Sequence, residues 1–281
     1  MNRTDIFREM GITPVWRARD AAPPVDAGAL VVVKIAPANA GKPNAGKPNA
    51  GKPLVQAVLR GRSSETGLQS ASPASALVES SDERAALIAR MDWPELKDAV
   101  ANCRACALCS GRNHTVFGAG DEKAKWLIIG EAPGQEEDRL GEPFVGQAGK
   151  LLDSMLAALD LARNVNVYIA NVLKCRPPGN RDPQPAEVAQ CAPHLLRQIE
   201  LLQPSLIVLM GRFAAQTILA TDASIASLRG RVFTYRGTPA IVTYHPAYLL
   251  RSLTEKARAW EDLLFARDTF SGAAAGAAAA P

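Results

Sequence analysis

The sequence predicts an α/β fold of three layers, α/β/α, with a central, mostly parallel four-stranded sheet in one domain flanked by low-complexity extensions. Three observations predict it. Short, continuous apolar runs such as Trp126 to Ile129 and Ser205 to Met210 read as strands buried on both faces. Between them, apolar residues recur at helical spacing, as in Leu151, Leu152, Met155, Leu156 and Leu159. The two patterns alternate along about 170 residues, from Asp98 to Phe270, a length that buries a full core without disulfide or metal staples. Such alternation implies parallel strands joined by helical crossovers.

Each element follows in order. Residues 1–20 hold a short apolar and basic island around Met10, Ile12 and Trp16. Residues 21–80 are rich in Ala, Pro, Gly, Ser and Lys. Within them Asn-Ala-Gly-Lys-Pro repeats three times from Asn39 to Pro53, which reads as a disordered, positively charged linker. A helical pattern opens between Ser81 and Val100, with Asp82 as its N-cap. The first strand is Trp126 to Ile129, closed by Gly130, and Lys150 to Leu161 is the helix after it. Val165 to Leu173 is the second strand, Pro177 to Pro185 a loop, and Ala186 to Leu202 an amphipathic helix. Ser205 to Met210 is the third strand and Arg212 to Leu219 a helix. Ala240 to Tyr244 is the fourth strand, and Thr254 to Phe265 the closing helix. Residues 271–281, almost all Ala and Gly, read as a disordered tail, leaving 82–270 as the folded domain.

The formal net charge of +4 permits a polyanionic partner without demanding one. The first residues carry no apolar run of signal-peptide length, and no stretch is long enough to span a bilayer, so the expectation is a cytoplasmic, monomeric protein without membrane contact. Disulfides are rare in that compartment. The five cysteines therefore need another explanation. Three lie together in Cys103-Arg-Ala-Cys106-Ala-Leu-Cys109, while Cys175 and Cys191 are far downstream.

Open parallel sheets bind ligands beyond the carboxyl ends of their strands. That rule points to Gly130-Glu131, Asn171, Gly211 and Tyr244-His245. After the first strand comes Gly130-Glu131-Ala132-Pro133-Gly134-Gln135-Glu136-Glu137, a tight turn able to present backbone N–H groups. It is not a phosphate-binding P-loop, because no Gly-Lys-Ser/Thr follows. Taken alone it reads more readily as an acidic surface loop.

Four motifs in uninterrupted order carry a resemblance: Cys103-Arg-Ala-Cys106; the turn above with Gly141-Glu-Pro-Phe144-Val-Gly-Gln-Ala-Gly149; Asn171-Val-Leu-Lys-Cys175-Arg-Pro-Pro178; and His245-Pro-Ala-Tyr-Leu-Leu-Arg251. Over about residues 98 to 267 the chain resembles the family 4 uracil-DNA glycosylases, the iron–sulfur branch of their superfamily. The resemblance implies a uracil-DNA glycosylase-like fold and a monofunctional hydrolase of base-excision repair. Such an enzyme flips deoxyuridine out of DNA, cleaves its N-glycosidic bond and leaves an abasic site. It implies Cys103, Cys106, Cys175 and Cys191 as ligands of a structural [4Fe–4S] cluster, with Cys109 left over. A Cys106–Cys109 near pair and tetrahedral zinc stay open at this point.

Through the same resemblance, Gly130, Glu131, Ala132, Phe144, Asn171 and His245 line the uracil site. Phe144 stacks on the base. Asn171 reads the uracil edge with one donor and one acceptor, and His245 stabilises charge growing on uracil O2. Glu131, Glu137 and His245 are the catalytic candidates. Family 1 glycosylases carry an aspartate where this chain has Ala132, so the attacking water is expected on the Ala132 carbonyl and Glu137. Lys174, Arg176, Arg181 and Arg251 are candidate phosphate contacts, and Tyr248, Leu249 and Leu250 candidate wedges into the DNA stack. The island at residues 1–20 faintly resembles a clamp-loader-binding peptide, which implies docking to replication machinery. Two rivals stand beside this reading. One is a family X-type covalent binder, whose Lys-Arg-Arg-Ile-His insertion is missing here. The other is a non-catalytic, cluster-stabilised repair scaffold.

Overall fold

The computed structural model describes residues 81–278. The expected docking peptide at 1–20 and linker at 21–80 lie outside the described residues. Two short helices come first, α1 (Ser81–Ile88) and α2 (Trp93–Ala101), where the sequence pattern suggested one. Asp82, expected as the N-cap, lies inside α1, and the cap that the structure shows is Asp92, at the start of α2. Asp92 accepts from the Glu95 N–H while Glu95 accepts from the Asp92 N–H, a reciprocal capping box, and Pro94 supports the start.

Six strands form one sheet in the order β1-β3-β2-β4-β6-β5. The four inner strands, β2 (Trp126–Gly130), β3 (Val167–Asn171), β4 (Leu206–Met210) and β6 (Thr238–Thr243), pair in parallel and are those the apolar runs predict. The expected count of four is corrected by two antiparallel edges. β1 (Ala119–Gly120) pairs with β3, and β5 (Val232–Tyr235) with β6. β1 is too short to give a pattern. The β5–β6 hairpin turns at Arg236 and Gly237, both at positive φ, in the manner of tight two-residue hairpin turns.

Alternate residues of the inner strands feed two cores. On one face Leu127, Ile129, Ala170, Ile207, Leu209 and Val242 pack under helices α5 (Pro185–Leu202) and α6 (Arg212–Leu219). On the other, Trp126, Ile128, Ile169, Val208 and Ile241 pack under α4 (Gln147–Ala157) and α9 (Glu255–Ala278). Full burial of each large apolar side chain is worth about 1.5–3 kcal/mol, which is why these strands read as continuous apolar runs. Three short helices complete the fold: α3 (Gln135–Leu140), α7 (Ile225–Leu228) and α8 (Pro246–Leu249). The tail expected to be disordered from residue 271 instead continues α9 to Ala278. Alanine is the best helix former, and a run of it extends a helix already nucleated on the core.

Candidate active site and cysteine cavity

A cavity of about 700 Å³ opens beyond the carboxyl ends of the inner strands. Glu131 after β2, Asn171 ending β3, Gly211 after β4 and Tyr244-His245 after β6 all line it, so the four strand ends named from topology meet at one place. Ala132, Glu137 and Phe144 line it too. β2 lies between β3 and β4, the point where the strand order reverses and such sheets leave a crevice.

Phe144 and Asn171 form its inner wall around Gly130. A Cβ at Gly130 would stand 2.4 Å from Asn171 Oδ1 and 2.7 Å from the Phe144 ring, so only glycine lets the three meet. Asn171 is buried, and its Oδ1 has no hydrogen-bond partner among the described residues. An unpaired buried acceptor costs about 1–3 kcal/mol, a cost that a ligand N–H removes. Phe144 is buried with a left-handed backbone, φ 54°, which costs a non-glycine residue about 1–3 kcal/mol.

The imidazole of His245 stacks near the Phe144 ring, with centroids 5.3 Å apart and planes inclined by 26°. Its Nδ1 accepts the Ala247 N–H at 3.1 Å as the cap of α8. Nδ1 is therefore unprotonated, and the neutral ring carries its proton on Nε2. Burial, followed by the repulsion of Arg251, lowers the pKa to about 4, with Glu137 opposing. At neutral pH the residue is an uncharged Nε2–H donor.

The two glutamates differ. Glu131 is half-buried at the cavity wall, and burial raises its pKa, with Asp182 adding to the rise and Arg212 opposing it. Glu137 holds backbone instead: Oε2 accepts from the Gly134 N–H, and Oε1 from the N–H groups of Val145 and Gly146. It clasps the turn after β2 to the segment bearing Phe144.

Around the rim, three of the four basic candidates are engaged within the protein. Lys174 is buried, where its Nζ donates to the Asn171 carbonyl and to Gln198 Oε1, and burial lowers its pKa to about 8. Arg176 donates to Asn180 Oδ1, and Arg181 pairs in bidentate fashion with buried Glu187. Only Arg251 remains an exposed basic residue of the cavity lining from that set. On α8 Tyr248 is exposed, as is Leu250 just after it, but Leu249 is 1% exposed and belongs to the core. Leu249 is thus corrected from wedge to packing residue.

Cys103, Cys106, Cys109, Cys175 and Cys191 line a second, small cavity, between the segment after α2 and the start of α5. Three of the sulfurs receive an N–H donor. Arg84 donates to Cys103 Sγ, Arg112 to Cys175 and the Lys174 backbone to Cys191. Among the described residues no such bond reaches Cys106 or Cys109. Burial raises the thiol pKa of Cys106, Cys175 and Cys191, the last to about 11. Among the described residues no three His, Cys, Asp or Glu side chains are gathered as for a single metal ion.

The model of the uracil DNA glycosylase superfamily matches residues 117–264. A type-4 uracil-DNA glycosylase of Archaeoglobus fulgidus is 47% identical over 159 residues, covering 54% of this chain and 79% of the relative. The chain belongs to the type-4 uracil-DNA glycosylases. Similar proteins of the same name occur in Sulfurisphaera tokodaii, 42% identical over 56% of this chain and 74% of the relative, and in Thermotoga maritima, 41% identical over 58% and 85%. The superfamily model leaves residues 1–116 and 265–281 unmatched. Within this type-4 chain, two residues of structural consequence escaped sequence reading. Asp138 is buried and accepts from both the backbone and side-chain N–H groups of Asn113, and Arg163 donates to the Phe144 segment. Each works on a partner distant in sequence, so no local motif marks it.

Proposed function

We propose that this chain hydrolyses the N1–C1′ bond of deoxyuridine in DNA, releasing uracil and leaving an abasic site for base-excision repair. The observation that carries this reading is the unpaired, buried Asn171 Oδ1 beside the Phe144 ring. Uracil presents N3–H to such an acceptor, where cytosine presents a lone pair. The flipped base lies against Phe144, and Asn171 reads its N3–H and O4 edge. As the bond breaks, its electron pair passes to uracil N1 and charge spreads to O2. The neutral His245 Nε2–H donates to O2 there. Glu131, at the cavity wall, offsets positive charge growing on the sugar. Water oriented by the Ala132 carbonyl adds its oxygen to C1′, and its proton ends on the departing uracil or solvent. Glu137 serves this step by shaping the turn that carries Ala132. With Lys174 buried and bonded, no amine of the Asn171 motif is placed to attack C1′, which suits a monofunctional hydrolase.

Cys103, Cys106, Cys175 and Cys191 fit a [4Fe–4S] cluster: four thiol donors around one cavity, three of them with an N–H donor to stabilise the thiolate form. A cluster binds each thiolate to a separate iron, so the sulfurs need not converge on one point as they do for zinc. When bound, it supplies a cross-link and no redox step. The test is incubation with a uracil-containing oligonucleotide followed by alkali. Scission at the uracil position is expected. An adduct stable to denaturation points to covalent trapping, and an unchanged strand to a scaffold.

A further inference from the structure

We propose that Arg163, which lies outside the cavity, is a positioning residue that holds Phe144 in the backbone conformation needed to stack on the base. This rests on the reading of Phe144 as the stacking residue. Arg163 sits in the loop between α4 and β3, and its two terminal nitrogens donate to consecutive carbonyls, Pro143 O at 2.8 Å and Phe144 O at 2.5 Å. Its Nε bonds Asp153 on α4, so the guanidinium is itself anchored to a helix packed on the core. All three bonds leave the planar fork in one orientation, which a lysine cannot reproduce.

The segment needs such a hold. Phe144 has φ 54°, a region non-glycine residues avoid. A Cβ at Gly149 would fall 1.7 Å from the Phe144 carbonyl oxygen, so that carbonyl is pressed against the first turn of α4. Arg163 holds the carbonyls of Pro143 and Phe144 from one side. Glu137 holds the N–H groups of Val145 and Gly146 from the other. Released from Arg163, the Phe144 peptide relaxes toward negative φ, and the ring swings away from Gly130 and His245.

The experiment compares Arg163→Gln, Arg163→Lys, Phe144→Ala and the Arg163→Gln/Phe144→Ala double variant. It reads KM and kcat on a deoxyuridine oligonucleotide, inhibition by free uracil, affinity for an abasic-site duplex, and Tm. Arg163→Gln is expected to weaken inhibition by uracil about tenfold, the scale of charge-assisted hydrogen bonds, with abasic-duplex affinity unchanged. Arg163→Lys retains one carbonyl contact and falls between; it also supplies the measurement if the glutamine variant does not fold. The double variant is expected to be no worse toward uracil than Phe144→Ala alone, because both changes remove the same contact. Additive losses, or a fall in Tm with uracil inhibition intact, overturn the role of Arg163 while leaving the stacking assignment standing. If Phe144→Ala itself leaves uracil inhibition unchanged, the stacking assignment fails, and the inference with it.

Discussion

At the scale of single residues, His245 gives the sharpest expectation, because its hydrogen bond decides its chemistry. Nδ1 is used by the Ala247 N–H, and the pKa lies near 4 rather than 6.5. The ring therefore stays neutral across the range in which an ordinary histidine titrates. Between pH 6.5 and 4 the unfolded chain takes up a proton that the folded one refuses, so this residue's contribution to stability is complete above pH 6.5 and declines toward 4. Activity, in contrast, is expected to show no histidine inflection between pH 5 and 8. A kcat/KM profile with a break near 6.5 that disappears in His245→Gln contradicts the neutral assignment. Replacing His245 with Ala should cost about 10²–10³ in kcat, the usual loss for a donor to a developing anion. Gly130→Ala places a methyl group against Asn171 Oδ1 and the Phe144 ring. A loss on the order of 100-fold is expected for such displacement of reacting groups, with abasic-duplex binding retained. Activity near that of the parent chain would mean that the inner wall is not the base site.

At the scale of elements, α8 and the residue that caps it separate packing from exposure. Leu249 faces the core, whereas Tyr248, which lines the cavity, and Leu250 are exposed. Leu249→Ala is expected to lower stability by about 2–5 kcal/mol, read by denaturant unfolding. Leu250→Ala should leave stability unchanged and slow excision from duplex more than from single-stranded substrate, because only duplex needs a wedge. Equal slowing on both substrates rules out the wedge. The same elements show what was legible in the sequence. The inner strands were, because burial on both faces leaves unbroken apolar runs, and so was the cavity's location, because parallel topology gathers strand ends. The β1 and β5 edges were not, being short and half-exposed. Nor was the fate of Lys174, Arg176 and Arg181: a basic residue beside a motif looks the same in sequence whether it meets phosphate or a buried Gln198 or Glu187. Glu137 was legible as a residue of the cavity lining but not as a clasp, since its N–H partners lie up to nine residues away.

At the scale of the whole molecule, the cysteines join parts that the sheet does not. Cys103 and Cys106 follow α2, Cys175 follows β3, and Cys191 lies on α5, so a group bound to all four closes the amino-terminal helices onto the central domain. The cavity residues from Glu131 to Arg251 are held chiefly by the sheet and its two cores. Loss of the bound group should therefore destabilise the molecule by several kcal/mol, as structural metal sites do when emptied. The first consequence is release of the segment before Val116. Cys191→Ser is expected to abolish absorbance near about 400 nm, lower Tm and make residues 81–112 sensitive to limited proteolysis. Cys109→Ser should leave all three unchanged if Cys103, Cys106, Cys175 and Cys191 are the ligands. The opposite pattern, with absorbance lost in Cys109→Ser and kept in Cys103→Ser, would move the near pair to Cys106 and Cys109. Zinc in place of iron would give colourless protein that still loses Tm in Cys191→Ser, so the spectrum and the melt together decide both which cysteines bind and what they hold.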